Sequence, residues 1–506
     1  MEAGSPSRRK RKLEEPPAAT AEGGTHARQP PPGAGQGEEG GPTAVDRISD
    51  LPDPILADII SLLPTKGGAR TQILASRWRH LWRSASLNLD CDCDGLARLG
   101  YGFPNDDHAL AALIPRILST HPGPGRRFCV PAIYLLSRPA AVDAWLGSPT
   151  LDGLCELEFC LVHVYEKARS VPSLPASAFR FSPTLRVVII RKCHLHDSAS
   201  QALYFPQLNQ LALEDVVVSE TSLHTIIAGC PALECLLIQG SSGFRCIRIN
   251  SLTLRSFGVR VGSHPTHELG SQPTDELQLE ELIIEDAPCL ERLLRLDLFE
   301  ELNVSITFAP KLQTIGCLSN KRVPSRSFMY GCAAVIEGLH LDRLAAVVCT
   351  VKTLAVDLFM NDLDTVIELM KCFPCLEKLY IESVPGWKNL WRRKHRDLIK
   401  TFDIRLKTIG LGFYRGIKSE VDFVTFFVLN AKVLELMIVH VSPQDYYRGF
   451  DAHQSKKLMF ESRASRGARI HFTTGNCLRG ASEINHVRDL DLTDPFISRC
   501  RHLVAR

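Results

Sequence analysis

The residues that come nearest to a catalytic motif begin at His395. His395-Arg396-Asp397-Leu398 matches the start of a kinase catalytic loop, in which the Asp accepts the proton of the substrate hydroxyl. A kinase also needs an Asn four residues after the Leu to hold its metal, and that position is Phe402. No Asp-Phe-Gly motif follows and no Gly-rich loop precedes. The sequence therefore does not predict a kinase, and we expect no enzyme activity.

Two groups of residues have metal-ligand chemistry. Cys372 and Cys375 have the spacing of a metal-binding pair, but a structural zinc site needs four ligands and no second pair follows at a suitable distance. We interpret both as cysteines packed between strands. His194 and His196 alternate along a predicted strand, so they share one face, which is more typical of a polar surface than of a ligand set. We expect neither a metal nor another cofactor.

Three further patterns have a simple interpretation. The acidic run at 90–94 is short and follows what looks like the first strand of a repeat array, so we expect it to be solvated. Gly410-Leu411-Gly412 with Gly416 misses dinucleotide-binding spacing by one residue and predicts a strand and turn. Aromatic and basic residues alternate at 387–396, as in some single-stranded nucleic-acid sites, but a charged excursion between repeats is favoured.

Composition limits the remaining function classes. The 506 residues carry 59 basic and 56 acidic side chains, so a net charge of +3 provides no global field that would attract nucleic acid or an acidic membrane. The start of the chain lacks a secretory signal, and no run of eighteen apolar residues predicts a membrane span. The 17 scattered cysteines fit reduced thiols, and we expect the nucleus, the cytoplasm or both.

Residues 1–42 contain eight Gly and seven Pro and few residues that could form a core, which predicts disorder. Five consecutive basic residues, Arg8, Arg9, Lys10, Arg11 and Lys12, stand within this segment. Such a cluster is either a nuclear import signal or a solvated run of charge, and the residues leave both interpretations open.

Short helices are predicted from residue 53. Asp53 can cap a helix with Pro54 at its first position, and apolar residues then recur at helical spacing until Pro64. Thr65 can cap the next helix, which carries Ile73 and Leu74. Trp78, Leu81 and Trp82 form an i, i+3, i+4 apolar stripe further on. Three short helices make too small a core to be stable alone, which implies a partner surface.

The segment DRISDLPDPILADIISLLPTKGGARTQILASRWRHLW from Asp46 resembles the F-box of plant F-box proteins, with Leu51 and Pro52 at its start and Arg77-Trp78 before Leu81-Trp82 at its end. The sequence departs from that pattern at Gly67-Gly68. The resemblance implies binding to a Skp-type adaptor and, through it, to a cullin–RING ubiquitin ligase. The residues implied for the adaptor face, of which about half are expected to form the domain's own core, are Leu51, Pro52, Ile55, Ile59, Leu62, Leu63, Trp78, Leu81 and Trp82.

From about residue 150 a short strand repeatedly follows a Pro-containing element. The aligned leucines Leu185, Leu208 and Leu233 are 23 and 25 residues apart, a period typical of leucine-rich repeats. Further units begin at Leu277, Ala309, Val351 and Cys372. We therefore predict an α/β fold in which a small three-helix F-box is followed by a solenoid of parallel strands.

The segments beginning at Cys372, Arg405 and Thr425 resemble the FBD domain of plant F-box and leucine-rich proteins. We predict five regions: 1–42 disordered, 43–88 F-box, 89–371 repeats, 372–440 FBD, and 441–506 a tail continuing the FBD. We expect the FBD to be the end of the solenoid. The resemblance implies a substrate receptor that holds an unidentified target protein on its repeats; the alternative is a non-catalytic interaction or nuclear scaffold protein with a drifted F-box.

Overall fold

The structure is a computed structural model. It describes residues 48, 50–90, 106–160, 171–197, 203–260, 277, 279–294, 303–319, 349–358, 363–383, 403–475, 478 and 486–497. The chain divides into two units, Met1–Pro52 and Asp53–Arg506. In the first unit the N–H of Leu51 donates to the carbonyl of Ile48 at 3.1 Å, which closes a turn.

Three helices open the second unit: α1 (Asp53–Ser61), α2 (Thr65–Thr71) and α3 (Ser76–Ser84). Leu56 and Ile60 of α1 are buried, as is the predicted stripe of α3. The expectation that Thr65 caps α2 is wrong. Thr65 is the first residue of α2, its hydroxyl donates to the carbonyl of Asn88, and no side chain caps the helix at Pro64.

The remaining elements alternate strands with short helices. The strands are β1 (Leu87–Asp90), β2 (Gly125–Pro131), β3 (Glu156–Cys160), β4 (Val187–Arg191), β5 (His194–Leu195), β6 (Gln210–Glu214), β7 (Val217–Val218), β8 (Cys235–Gln239), β9 (Cys246–Asn250), β10 (Ser256–Arg260), β11 (Glu281–Asp286), β12 (Arg292–Leu294), β13 (Asn303–Ile306), β14 (Thr314–Ser319), β15 (Thr353–Leu358), β16 (Lys378–Ser383), β17 (Thr408–Tyr414), β18 (Leu436–Val441) and β19 (Arg469–Thr473). The helices are α4 (Asp106–Thr120), α5 (Tyr134–Ser137), α6 (Pro139–Leu146), α7 (Glu220–Ala228), α8 (Leu363–Cys372), α9 (Lys418–Asn430) and α10 (Phe450–Lys457). Short 3-10 helices lie at Pro149–Leu151, Ala176–Phe181, Phe460–Ser462 and Val487–Asp491.

Among the described residues, fourteen strands form one sheet in the order β1-β2-β3-β4-β6-β8-β10-β12-β14-β15-β16-β17-β18-β19. Adjacent strands pair in parallel, for example Leu211 with Leu236 and Leu236 with Phe257. Two smaller parallel sheets, β13-β11-β9 and β5-β7, lie beside it. A parallel sheet that grows by one strand per repeat is a solenoid, so the predicted α/β repeat fold is confirmed.

The turn before each strand sets the repeat. The N–H of Leu208 donates to Phe205 at 3.3 Å, and that of Leu233 to Cys230 at 3.1 Å. The leucine that closes the turn is buried in each case. In the strand that follows, every second residue is a large aliphatic or aromatic one that faces the interior. One face of the sheet therefore forms the solenoid core.

The opposite face of the sheet, called the outer face here, carries a central apolar row with polar or charged residues beside it, such as Gln210 and Glu214 on either side of Ala212. One row in register runs through Ile189, Ala212, Leu237, Gly258 and Leu294. A segment near the C-terminus, residues 486–497, lies on this face and is called the strap. Val487, Leu490 and Phe496 of the strap belong to one apolar cluster with residues of that row. The sequence did not predict this return of the chain.

The region assigned to the FBD continues the same sheet. It supplies β16, β17 and β18, and α9 buries Phe423, Phe426 and Phe427, as their i, i+3, i+4 spacing predicts. β19, from the tail, pairs in parallel with β18 and is the last strand of the described sheet. The solenoid therefore runs through the FBD and ends in the tail.

Candidate functional site

An apolar stripe on α1 is left uncovered by the fold. Ile55 and Ile59 of α1, and Leu62 in the turn directly after it, are 47%, 40% and 67% exposed and follow one another at i, i+4 and i+7. Leu56 and Ile60 point the other way and are fully buried. Since this helix buries one apolar face and exposes a second, the exposed stripe is suited to contact with another protein.

The structure divides the residues predicted for adaptor binding into three groups. Trp78, Leu81 and Trp82 are buried in the second unit, and Leu63 is half-buried. The stripe of α1 is exposed. Leu51 is half-buried and Pro52 is exposed, and both belong to the first unit. The buried residues of α3 thus serve the helical core, and contact with a partner remains a prediction for the others.

Two apolar residues missing from the predicted set are also strongly exposed. Ile73 is 84% and Leu74 is 65% exposed. Sequence analysis placed them on the second helix, but α2 ends at Thr71 and both lie in the turn that follows. Gly67-Gly68 did not signal this end, because both glycines lie inside α2 and the helix continues beyond them to Thr71.

A buried asparagine fixes the three-helix region against the first strand of the sheet. The side-chain amide of Asn88 in β1 donates to the carbonyl of Leu63 at 3.2 Å and also to that of Ser61. The backbone carbonyl of Asn88 accepts a hydrogen bond from the hydroxyl of Thr65. The end of α1 and the start of α2 are thereby held to the solenoid, so the exposed stripe has a fixed orientation relative to the repeats.

Arg77 adds a polar link within the helices. Its Nε lies 2.5 Å from Oδ1 of Asp53, which joins the start of α3 to the start of α1. Both side chains are well exposed, so the pair contributes little to stability. Its contribution is to the angle between the two helices. Arg79, His80 and Arg83 remain exposed on α3 beside it.

A ladder of ion pairs crosses the outer face near the N-terminal end of the sheet, from β2 to β6. Arg127 Nη2 lies 2.7 Å from Glu158, and Arg191 lies 2.9 Å from both Glu158 and Glu214. Burial opposes the charge of Glu158, but its contacts with His486, Arg127 and Arg191 outweigh that and lower its pKa to about 2. The ladder holds β2, β3, β4 and β6 in register.

None of the metal-site candidates gathers a ligand set within the described chain, where no group of three His, Cys, Asp or Glu side chains could hold a metal. His194 and His196 share a face, with ring centroids 4.2 Å apart, while Cys193 and Leu195 are buried on the other, as predicted. Cys375 is an exposed free thiol, so its predicted packing between strands is wrong.

The cysteines were expected to be free thiols, and one of them is not. Cys193, Cys230 and Cys235 are buried free thiols, and burial raises the pKa of each to about 12. Cys160, in contrast, is disulfide-bonded. The expectation of reduced thiols therefore holds for these three and is wrong for Cys160.

Gly410 and Gly412 lie in β17 and Gly416 follows it with a φ of +75°, which matches the predicted strand and turn. Several other predicted features lie outside the described residues: the basic cluster at 8–12, the end of the acidic run at 91–94, and the segment 387–398 with its basic, aromatic and kinase-like residues. In the part of the chain with described coordinates, no helix has the length and apolar character needed to cross a bilayer.

The fold defines a leucine-rich-repeat protein that carries a three-helix module before its first strand. The family model for the repeats of FBD-associated F-box protein At5g56370 matches residues 142–381, and the FBD model matches residues 394–439.

Relatives in Arabidopsis thaliana have the same organisation. FBD-associated F-box protein At5g60610 is 24% identical over 416 residues, which cover 77% of this chain and 98% of that protein. Putative F-box/FBD/LRR-repeat protein At3g49480 is 25% identical, covering 82% of this chain and 93% of the relative. F-box/FBD/LRR-repeat protein At1g13570 is 28% identical over 38% of this chain and 44% of its own length. Together these matches support a plant F-box protein with leucine-rich repeats and an FBD.

Proposed function

We propose that this protein is a substrate receptor of a Skp–cullin–F-box ubiquitin ligase. In this proposal α1 contacts a Skp-type adaptor, and the repeats hold the protein to be ubiquitinated. The observation that carries it is the exposed stripe of Ile55, Ile59 and Leu62, which the F-box's own core does not use. Similarity to relatives named for their F-box supports the same conclusion.

Such a receptor needs no catalytic residue of its own. Holding a target lysine near a charged ubiquitin-conjugating enzyme raises the effective concentration of the reacting groups, and a rigid spacer maintains that distance. The contacts of Asn88 with Leu63 and Ser61 supply this rigidity, because they fix the adaptor-binding helices on the first strand of the solenoid.

The adaptor-binding part is tested by placing a charge in the stripe. Leu62→Asp puts a carboxylate on a residue that is 67% exposed, so the fold should tolerate it while an apolar interface should not. We expect calorimetry with a purified Skp-type adaptor to show at least a thirtyfold loss of affinity, which is about 2 kcal/mol. The matched control is Leu252→Asp, which is 68% exposed on the repeats and should bind the adaptor like the wild type.

Leu51 and Pro52 are tested separately, because they belong to the first unit. The double substitution Leu51→Ala/Pro52→Ala should weaken adaptor binding by a similar factor and leave the unfolding of the solenoid unchanged. Ubiquitin transfer in a reconstituted ligase then tests the receptor role as a whole. Wild-type affinity in both the Leu62 and the Leu51/Pro52 variants would contradict the proposal and favour a scaffold protein.

A further inference from the structure

The strap runs across the strands of the sheet. At one end Arg488 Nη2 lies 2.5 Å from Oε2 of Glu156 in β3, and at the other Lys378 Nζ in β16 lies 2.7 Å from Oδ2 of Asp494. Seven strands of the sheet lie between β3 and β16. A single segment therefore crosses the middle of the outer face.

Three apolar side chains anchor the strap. Val487, Leu490 and Phe496 have no exposed surface. They pack in one cluster with outer-face residues from six strands, namely Ile189, Ala212, Cys235, Leu237, Leu294, Ala355 and Tyr380. The ring of Phe496 lies 5.4 Å from that of Tyr380, centroid to centroid. Burial of these three residues is what holds the segment against the sheet.

The outer face is shaped to receive such a segment. A Cβ built on Gly258 would lie 3.0 Å from Cδ2 of Leu490, and one built on Gly410 would lie 2.8 Å from Cδ2 of Leu478. Leu478 in turn bridges to Ile497 at the end of the strap. Small residues at these positions leave a channel, because any larger side chain would displace a leucine of the covering segment.

Charges on the channel complement those on the strap. Asp494 accepts from both Lys378 Nζ at 2.7 Å and the Tyr380 hydroxyl at 2.9 Å. Arg292 Nη2 lies 3.5 Å from Oδ1 of Asp491. The strap residues Arg488 and Asp491 remain about half exposed, so each of these contacts stabilises the strap only modestly, and together they set its position.

We propose that the strap is an intramolecular ligand of the outer face, so that a target segment binds this face only after displacing it. The contacts define the chemistry of that segment: an acidic peptide with the spacing of Leu490-Asp491-x-x-Asp494-Pro495-Phe496. Two carboxylates meet Arg292 and Lys378, and an aromatic ring follows to stack near Tyr380. This proposal depends on the proposed function in one respect: it takes the repeats as the part of the protein that binds the target.

Two buried thiols allow a direct test in the full chain. Cys235 lies beneath the strap, whereas Cys230 is buried beside α7, where its thiol donates to the carbonyl of Ile226. Burial raises the pKa of each thiol to about 12, so neither is expected to react readily while it is covered. In the variant Leu490→Asp/Phe496→Asp, maleimide labelling followed by mass spectrometry should modify Cys235 at least tenfold faster, with Cys230 unchanged.

The control variant is Thr493→Asp, which adds a carboxylate at an exposed position of the same strap and should leave Cys235 protected. A fluorescent peptide of residues 486–497 should bind the Leu490/Phe496 variant and not the wild type. Continued protection of Cys235 in that variant, or equal peptide binding to both proteins, would overturn the proposal. Faster labelling of both thiols would also overturn it, since the strap would then be part of the core and not a ligand.

A milder variant tests the same proposal without placing a charge among the buried apolar residues, so it should not cause a folding defect. Asp491→Asn/Asp494→Asn removes both carboxylates and keeps the apolar anchors, so Cys235 labelling should rise severalfold and Cys230 should again be unchanged. Labelling that equals the wild type would show that the charges do not hold the strap. None of these measurements includes the adaptor, so loss of adaptor binding would not affect their outcome.

Discussion

Gly68 lies directly beneath the indole ring of Trp82. A Cβ built on Gly68 would come within 2.3 Å of Cζ3 and 2.8 Å of Cε3 of that ring. This contact gives a reason for the second glycine of Gly67-Gly68, where the sequence departs from the F-box pattern: Gly68 makes room for the buried ring of Trp82. Gly67 has no such constraint, because its nearest neighbour would be Cβ of Leu63 at an ordinary 3.7 Å.

The two glycines therefore predict opposite results. Gly67→Ala should raise the free energy of unfolding by up to about 1 kcal/mol, because glycine inside a helix costs that much relative to alanine. Gly68→Ala should lower it by roughly 1–3 kcal/mol, as expected for an overpacked core. Denaturant unfolding of both variants beside the wild type measures this. Destabilisation by Gly67→Ala as large as that by Gly68→Ala would show that the helix itself requires both glycines.

The ion-pair ladder predicts a pH dependence. The folded-state pKa of Glu158 is about 2 against an ordinary 4.5, so its stabilising contribution is complete above about pH 4.5 and is lost as pH falls towards 2. A shift of this size corresponds to at most roughly 3 kcal/mol. Glu158→Gln should therefore lose stability at pH 6, and its deficit relative to the wild type should shrink between pH 4.5 and 3.

Urea unfolding at pH 6, 4.5 and 3 checks the Glu158 prediction. The control is Glu461→Gln, an exposed carboxylate, which should follow the wild type at every pH. A Glu158→Gln deficit that stays constant across this range would mean that the ladder stabilises by packing and not by charge.

The continuous sheet predicts that the FBD cannot be separated from the repeats. Residues 44–371 and 372–506, expressed apart, should each fail to give a cooperative melt. A cut there separates β15 from β16, which pair over six residues, and removes the strap from the outer face. The uncovered edge and apolar surface should cause aggregation. Two soluble fragments with melting transitions of their own would refute this.

Localisation remains a prediction from the basic cluster alone. Deleting Arg8 to Lys12 from a fluorescent fusion of the full chain should reduce its nuclear fraction, because an import receptor needs clustered positive charge. The matched control deletes the five uncharged residues 31–35 of the same N-terminal segment. An equal nuclear fraction in both deletions would favour the solvated run of charge.

Repeat period and helix positions could be read from the sequence because they depend on neighbouring residues. Leu208 and Leu233 close the turns that their spacing predicts, and Phe423, Phe426 and Phe427 form the buried face of α9. In these elements a local hydrogen bond or a helical period determines the structure, and a single sequence contains both.

The tertiary structure alone decided which apolar residues were exposed. Ile59 and Ile60 are adjacent and chemically identical, yet one is 40% exposed and the other has no exposed surface. This difference in exposure depends on which side of α1 packs against α3. The same holds for Trp78 and Trp82, whose motif positions suggested a partner contact but which fill the helical core.

By itself, the sequence determined the class of fold, the order of its regions and the resemblance to an F-box, since each depends on residue type at short spacing. It could not determine the place of the strap. Arg488 and Glu156 form an ion pair across 332 positions of the chain, and no periodicity links residues that far apart. Contacts of that separation form only when the repeats have stacked, so the covered outer face is a property of the assembled solenoid.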